Sequence, residues 1–425
     1  MISVLLIVSF LVLLLLGVPI TFAMALATLG SLLAGEYNLQ IIPQIMARGI
    51  TNFTLMAVPL FILAGNLMNS MGLTERMFGF ARALVGHIKG GLAHVNVVSS
   101  MIFAGISGSA AADCAGLGII EIEAMTQAGY RKPFSAAVTV ASATVGPIIP
   151  PSIGFIIYGV LAEVSIAKLF LAGLVPGVLM ASLLCAMIYW FAATGREPCP
   201  VDRRKNVREI WIAFKNGILA LLAPLIILYG MTGGVITPTE AGVLAVVYSL
   251  IVGIVYREFR ISALPRVLYD TVLSSAHILL LVSMASVMGY LMTQERTPNL
   301  IGGWIMSLTT NKYIILLLID IVLLVIGCMM SGTASLIILT PIFLPIVSSL
   351  GVDLIHFGVI MGVGLVIGVA TPPVGIGLYV VAEISHLQFE DVVRAALPFL
   401  IPLILVLLII TYFPQLVLLL PNALM

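Results

Sequence analysis

The sequence predicts an all-α polytopic membrane protein made of two inverted repeats, each holding a re-entrant helical hairpin and a broken helix. Three observations lead there. The 425 residues are 61% apolar and only 9% charged, with a mean hydropathy of +1.22, whereas soluble domains carry roughly 25% charged residues. Apolar runs such as VLLIVSFLVLLLLGVPITFAMALATLGSLLA reach or exceed the ~20 residues that cross a bilayer core. Finally, Gly/Ser/Thr and Gly/Pro interruptions occur inside apolar stretches and recur in the same order in each half.

Taken in order, spans are expected at 2–33, 51–70, 134–160, 168–194, 216–231, 239–256, 270–293, 356–381 and 391–420. The first run has no basic n-region and is too long for a signal h-region, so it reads as a retained span. Regions 93–127 and 313–349 are long but interrupted midway, and each half is short for a crossing. Hairpins that enter and leave by the same face fit them, because irregular backbone at membrane depth must be buried in protein or line a cavity. Segments 35–50 and 257–268 are short and of mixed polarity; they read equally as interfacial arm helices or as loops. The four cysteines lack C-x-x-C spacing, so neither a disulfide framework nor a zinc site is expected.

The basic residues orient the chain. Arg196, Arg203, Arg204, Lys205, Arg208 and Lys215 form the densest cluster, which the positive-inside rule places in the cytoplasm. Counting outward, the loops with Arg76/Arg82/Lys89, Arg131/Lys132 and Arg257/Arg260/Arg266 also fall inside, while 232–238 and 350–355, free of Lys and Arg, fall outside. A net charge of +1 spread over short loops presents no basic face, so nucleic acid is not an expected partner.

At a shift of 224 residues Gly65, Leu67 and Met68 match Gly289, Leu291 and Met292, and Ser107-Gly108-Ser109-Ala110 matches Ser331-Gly332-Thr333-Ala334. After a two-residue slip, Gly146, Pro150 and Pro151 fall on Gly368, Pro372 and Pro373. Repeats with breaks at equivalent positions are the best sequence pointer to a transporter's binding site. A break frees carbonyls at one half-helix end and amides at the other, suiting Na⁺ and an anion respectively. The candidate Na⁺ site residues are therefore Ser107, Gly108, Ser109, Thr144, Gly146 and Pro147 in the first half, with Ser331, Gly332, Thr333, Gly368 and Thr371 in the second. Asp113, Pro150, Pro151, Pro372 and Pro373 are candidates for substrate binding or site support. The prolines remove donors and keep the helices from closing over the gap, and an intramembrane carboxylate such as Asp113 is a functional candidate.

Other polar residues receive plainer readings. Glu163 and Glu383 are expected to be solvated or capping, and Asp320 either pairs in the second hairpin or takes part in ion or proton work. Glu240 follows Thr237 at capping-box spacing. The histidines are scattered, with no H-E-x-x-H and no phosphate-binding G-x-x-x-x-G-K-[ST], so transport is expected to draw on an ion gradient or another subunit.

The stretches GVPITFAMALA, FAGISGSAAADCAGLG, GPIIPPSIGFIIYG, APLIILYGMTGGVITPTEAG followed by VVYSLIVGIVYRE, and ATPPVGIGLYV resemble the large membrane subunit (M subunit, DctM-like) of tripartite ATP-independent periplasmic (TRAP) transporters. The resemblance covers nearly the whole chain. It implies an elevator-type architecture of the ion transporter superfamily, with scaffold parts at 1–92 and 196–312 and transport parts at 93–195 and 313–425. It also implies Na⁺-coupled import of an organic anion, such as sialic acid or a C4-dicarboxylate, with no cofactor beyond the coupling ion. The implied partners are a periplasmic substrate-binding protein and a separate small membrane subunit of about four spans. The implied location is the bacterial inner membrane, which the charge pattern completes with a cytoplasmic N-terminus and a periplasmic C-terminus. A stand-alone Na⁺/dicarboxylate symporter is the nearer rival. A rhomboid-like protease using Ser107 in Gly105-Ile106-Ser107-Gly108 with a base such as His277 is the remote one, and a non-transporting assembly scaffold leaves the duplicated breaks unexplained.

Overall fold

The computed structural model describes the chain apart from residues 1, 298–299, 301, 304–308 and 310, and apart from the side chains of 74 and 104–107. Among the described residues all regular structure is helical. The first half opens with α1 (Ile2–Leu15), α2 (Ile20–Ala34) and α3 (Ile41–Ile50), then α4 (Ala57–Ser70) and α5 (Leu73–Val85). The single span expected at 2–33 is thus two short helices. Gly17 sits in the left-handed region at φ +80°, and Pro19 precedes Ile20 with an extended ψ of 137° that cannot continue a helix. The two helices pack on each other.

Next come α6 (Gly91–Ser107) and α7 (Ala110–Gln127), which form hairpin 1, and α8 (Lys132–Ala143) and α9 (Ile153–Leu161), which form a helix broken and bent by 43°. The long α10 (Ile166–Ala193) closes this half. The second half runs through α11 (Val207–Thr232), α12 (Pro238–Val255) and α13 (Leu264–Gln294), then hairpin 2 from α14 (Lys312–Met329) and α15 (Gly332–Ser349). A second broken helix, α16 (Leu354–Val369) and α17 (Ile376–Ser385), is followed by α18 (Phe389–Tyr412) and α19 (Pro414–Leu424). Two further expectations change here. Segment 257–268 is not a separate arm: a short 3-10 turn at Ile261–Ala263 leads straight into α13, whereas 41–50 is helical. The final apolar run divides at Phe413, where Pro414 starts a new helix without an N–H to give to α18.

The order of two helices, a broken helix and a long helix occurs twice, with lengths of 17, 18, 12, 9 and 28 residues in the first half and 18, 18, 16, 10 and 24 in the second. Among the described residues eight helices are long and apolar enough to cross a membrane, or nine when the bent pair is counted as one span; α14 and α15 are two of the eight, so the halves of 313–349 are not short for a crossing as their sequence suggested. The first members of the two broken helices form the centre of the molecule. Every residue of α8 from Phe134 to Ala143, and of α16 from His356 to Val369, is buried. Such helices are apolar or small on all sides because they have no solvent face to serve. Around them α7 and α18 pack on α8, α14 and α15 pack on α16, and α13 packs on α3 and α4.

The basic segment after α10 is bound more tightly than its composition suggests. Glu197, with only 1% of its side chain exposed, takes three hydrogen bonds from Arg131: from the backbone N–H at 3.0 Å, from Nε at 2.7 Å, and from the second guanidinium nitrogen. The Tyr130 hydroxyl donates to Gly90 O or Pro200 O, 2.9 Å from each, and accepts from Leu92 N. Asp202 binds Arg82 through both oxygens, at 2.6 and 3.1 Å, and its N–H donates to Gly86 O. Residues 197–202 therefore tie the α7–α8 turn to the end of α5 and the start of α6.

Two stability predictions follow from these pairs. Arg131 is 64% exposed and Glu197 is not, so Arg131→Ala leaves a buried carboxylate under-compensated and costs about 3 kcal/mol. Glu197→Gln leaves an arginine that water can solvate and costs about 1 kcal/mol; thermal unfolding of the detergent-purified protein ranks the two. The hydrogen bond from Arg82 holds the Asp202 carboxyl below its ordinary value. Its stabilisation is complete above the unfolded-state value of ~4 and is lost as pH falls through the lower folded value. The advantage of wild type over Asp202→Asn should therefore be flat from neutral pH to about 5 and shrink below about 4, modestly because both groups are part-exposed.

Candidate transport site between the hairpin tips

Three helices begin at one place. α7 starts after Ser109, α15 after Ser331 and α9 after Ser152, and each serine is an extended N-cap whose hydroxyl accepts from the backbone N–H three residues on. The distances are 3.5, 3.4 and 3.3 Å. Ser109 and Ala110, Ser331 and Gly332, and Ser152 and Gly154 all line a single cavity of about 80 Å³. Each helix N-terminus carries about half a positive charge from its unpaired amides. Gly108 at the end of α6, Pro147 and Ile148 after α8 and Val369 at the end of α16 line the same cavity, so helix amide ends and helix carbonyl ends meet there, with no lysine or arginine among the described lining residues.

The sequence candidates divide by position. Gly108, Ser109, Pro147, Ser331, Gly332 and Thr333 line the cavity. Gly108, left-handed at φ +59°, ends α6 and lies against Ile153 at the start of α9, so hairpin tip and helix break meet there. Ser107 ends α6, and its side chain lies outside the described residues. Thr144, Gly146, Pro150, Pro151, Gly368, Thr371, Pro372 and Pro373 are not among the cavity's lining residues: the first five are buried, Thr371 and Pro372 are half-buried and Pro373 is exposed. Thr144 and Thr371 donate to Ala141 O and Ile367 O of their own helices, and both Pro-Pro bonds are cis. Asp113 is buried one turn into α7. Asp320 pairs outside its hairpin, accepting from Thr411 of α18 at 2.9 Å.

Behind hairpin 2 the backbones touch. A Cβ on Gly368 would stand 2.4 Å from the carbonyl carbon of Gly327, and one on Gly327 would stand 2.7 Å from Leu365 O. The N–H of Gly375 donates to Cys328 O at 2.8 Å. The end of α14 and the second break are thus one backbone-to-backbone unit.

On the other side, α4 and α13 face the tips. A cavity of about 240 Å³ joins Gly108, Ser109 and Thr333 to Asn66, Asn69 and Ser274, and Asn66 donates to Thr271 at 3.0 Å. Sequence reasoning missed Ser152, Asn66, Asn69 and Ser274. A serine between Pro-Pro and an apolar run is a helix-start signal, and asparagines at i and i+3 of a span are costly enough to mark a packed or functional face.

Comparison with known proteins identifies the architecture. The family model described as tripartite ATP-independent periplasmic transporter, DctM component, matches residues 7–416. The chain belongs to this family. It is 40% identical over 409 residues to the sialic acid TRAP transporter large permease protein SiaM of Vibrio cholerae, covering 96% of this chain and 95% of that one. It is 40% identical over 372 residues to the C4-dicarboxylate TRAP transporter large permease protein DctM of Pseudomonas aeruginosa, 87% of each. Its fold is similar to the YdaH transporter of Alcanivorax borkumensis, with TM-score 0.59 at 17% identity, covering 89% of this chain and 88% of that one. This DctM component is accordingly a polytopic membrane permease subunit and not an enzyme, and the protease reading of Gly105–Gly108 falls.

The Gly327–Gly368 contact gives a direct test of the unit behind hairpin 2. Gly368→Ala should cost roughly 3 kcal/mol or more, because backbone rather than a side chain must move. Gly30→Ala in α2, where nothing lies within 4 Å, should be neutral or stabilising by up to ~1 kcal/mol. Fluorescence-detected thermal stability of the two variants reads the difference.

Proposed function

We propose that this chain is the large subunit of a secondary importer that carries an organic anion, of the sialic acid or C4-dicarboxylate class, into a bacterial cell down a Na⁺ gradient. The observation that carries the reading is the convergence of three helix N-termini on one cavity lined by neutral oxygens. A desolvated carboxylate is stabilised there by fixed amide dipoles. The substrate classes carried in the names of the two relatives are both organic anions, which agrees with such a field.

In this reading Na⁺ is held in two cages, one per repeat. Ser107, Gly108, Ser109, Thr144, Gly146 and Pro147 supply the first; Ser331, Gly332, Thr333, Gly368 and Thr371 supply the second. Hydroxyl and carbonyl oxygens suit a bare monovalent cation and avoid burying charge. Asp113 and the prolines 150, 151, 372 and 373 support the walls. Parts 93–195 and 313–425, holding both hairpins, move against a scaffold of 1–92 and 196–312 in an elevator cycle. The chain sits in the inner membrane with its N-terminus cytoplasmic and its C-terminus periplasmic. It works with a small membrane subunit of about four spans and a periplasmic binding protein.

Reconstitution in proteoliposomes tests this. Labelled sialic acid and labelled succinate are offered with and without the small subunit, the loaded binding protein and an inward Na⁺ gradient. Uptake of one acid is expected only with all three present. Robust uptake by the chain alone favours a stand-alone symporter, and uptake that follows a pH gradient and ignores Na⁺ removes the coupling assignment.

A further inference from the structure

A third cavity, of about 380 Å³, continues from the hairpin tips along α13. It is lined by Ser331 and Thr333 on hairpin 2 and by Ser274 and His277 on α13. Thr333 borders all three cavities, and Ser274 borders this one and the 240 Å³ cavity, so the three adjoin along a groove that centres on Thr333. Among the described residues lining it there is no Lys, Arg, Asp or Glu. His277 is the single side chain there able to carry positive charge.

The position is unusual for a histidine. His277 lies about 20 Å from the start of α13 and about 25 Å from its end at 1.5 Å per residue, deep within a candidate span. Two other histidines of the chain are used structurally: His94 bonds Lys89 O at 2.8 Å, and His356 bonds Ile410 O at 2.7 Å. His277 makes no such bond among the described residues and is exposed into the groove. An ionisable side chain held open at that depth costs stability unless it serves a ligand.

We propose that His277 is a specificity-determining residue, donating a hydrogen bond to the end of the organic acid that lies away from the three helix N-termini. The inference rests on the anion-import reading above. One carboxylate sits in the amide field at Ser109, Ser152 and Ser331. The imidazole N–H meets the distal polar group, a second carboxylate or a hydroxyl or amide oxygen, across Thr333. Substrates then need a polar group at each end.

The test is uptake kinetics in the reconstituted three-component system, with labelled sialic acid and labelled succinate as probes. Variants are His277→Ala and His277→Gln, the second keeping a donor of similar reach. For whichever acid wild type carries, His277→Ala is expected to raise KM roughly tenfold with little change in maximal rate, the loss of one strong hydrogen bond from uniform binding. His277→Gln should recover most of it. Unchanged KM in His277→Ala with wild-type uptake intact overturns the assignment alone. So does a loss of maximal rate together with loss of small-subunit co-purification, because that marks a packing role. Absence of uptake of either acid by the wild-type assembly overturns the import reading and this assignment with it.

Discussion

The arrangement depends on a single constraint: backbone ends cannot be left bare in an apolar interior. α8 and α16 are buried on every side, and both stop there. An interrupted helix leaves several N–H and C=O groups without partners, and no bulk water reaches them. The surrounding elements answer that need. Serine hydroxyls take amides at the starts of α7, α9 and α15; a 3-10 turn follows α8; Cys328 O takes the Gly375 amide. The three serine-capped helix starts and the turn after α8 line one small cavity.

That constraint also explains where glycine is spent. At Gly327 and Gly368 any side chain would enter a neighbouring backbone, so the two elements close to contact distance and the break is held by main chain alone. Gly173 and Gly362 play the same part around the first break, where a Cβ would meet Ile148 O or the Phe155 ring. Close approach replaces the hydrophobic drive that lipid removes between helices.

Much of this was legible in the sequence. The all-helical polytopic fold and the helix interruptions at Ser107–Ser109, Gly146–Pro151, Met330–Ser331 and Ala370–Gly375 follow from where small and kinked residues interrupt apolar runs. The Thr237–Glu240 capping box is formed in both directions, at 2.7 and 3.3 Å. Other features were not legible because their signal is tertiary. Gly17-Val18-Pro19 hides in an otherwise continuous apolar run. Glu197 reads as one more charged loop residue until Arg131, far away in sequence, folds over it. Ser152, Asn66 and Ser274 are ordinary residues in the chain and become a lining only when three helix ends and two spans meet.

The helix ends at the hairpin tips are built from peptide groups, so no single substitution can delete them. A sequence that keeps the two hairpins and the first break keeps those ends on one cavity, however its side chains drift. The side chains of α4 and α13 that face the tips, Asn66, Asn69, Ser274 and His277, can vary without moving those ends. Such a division separates what the backbone fixes from what side chains can change.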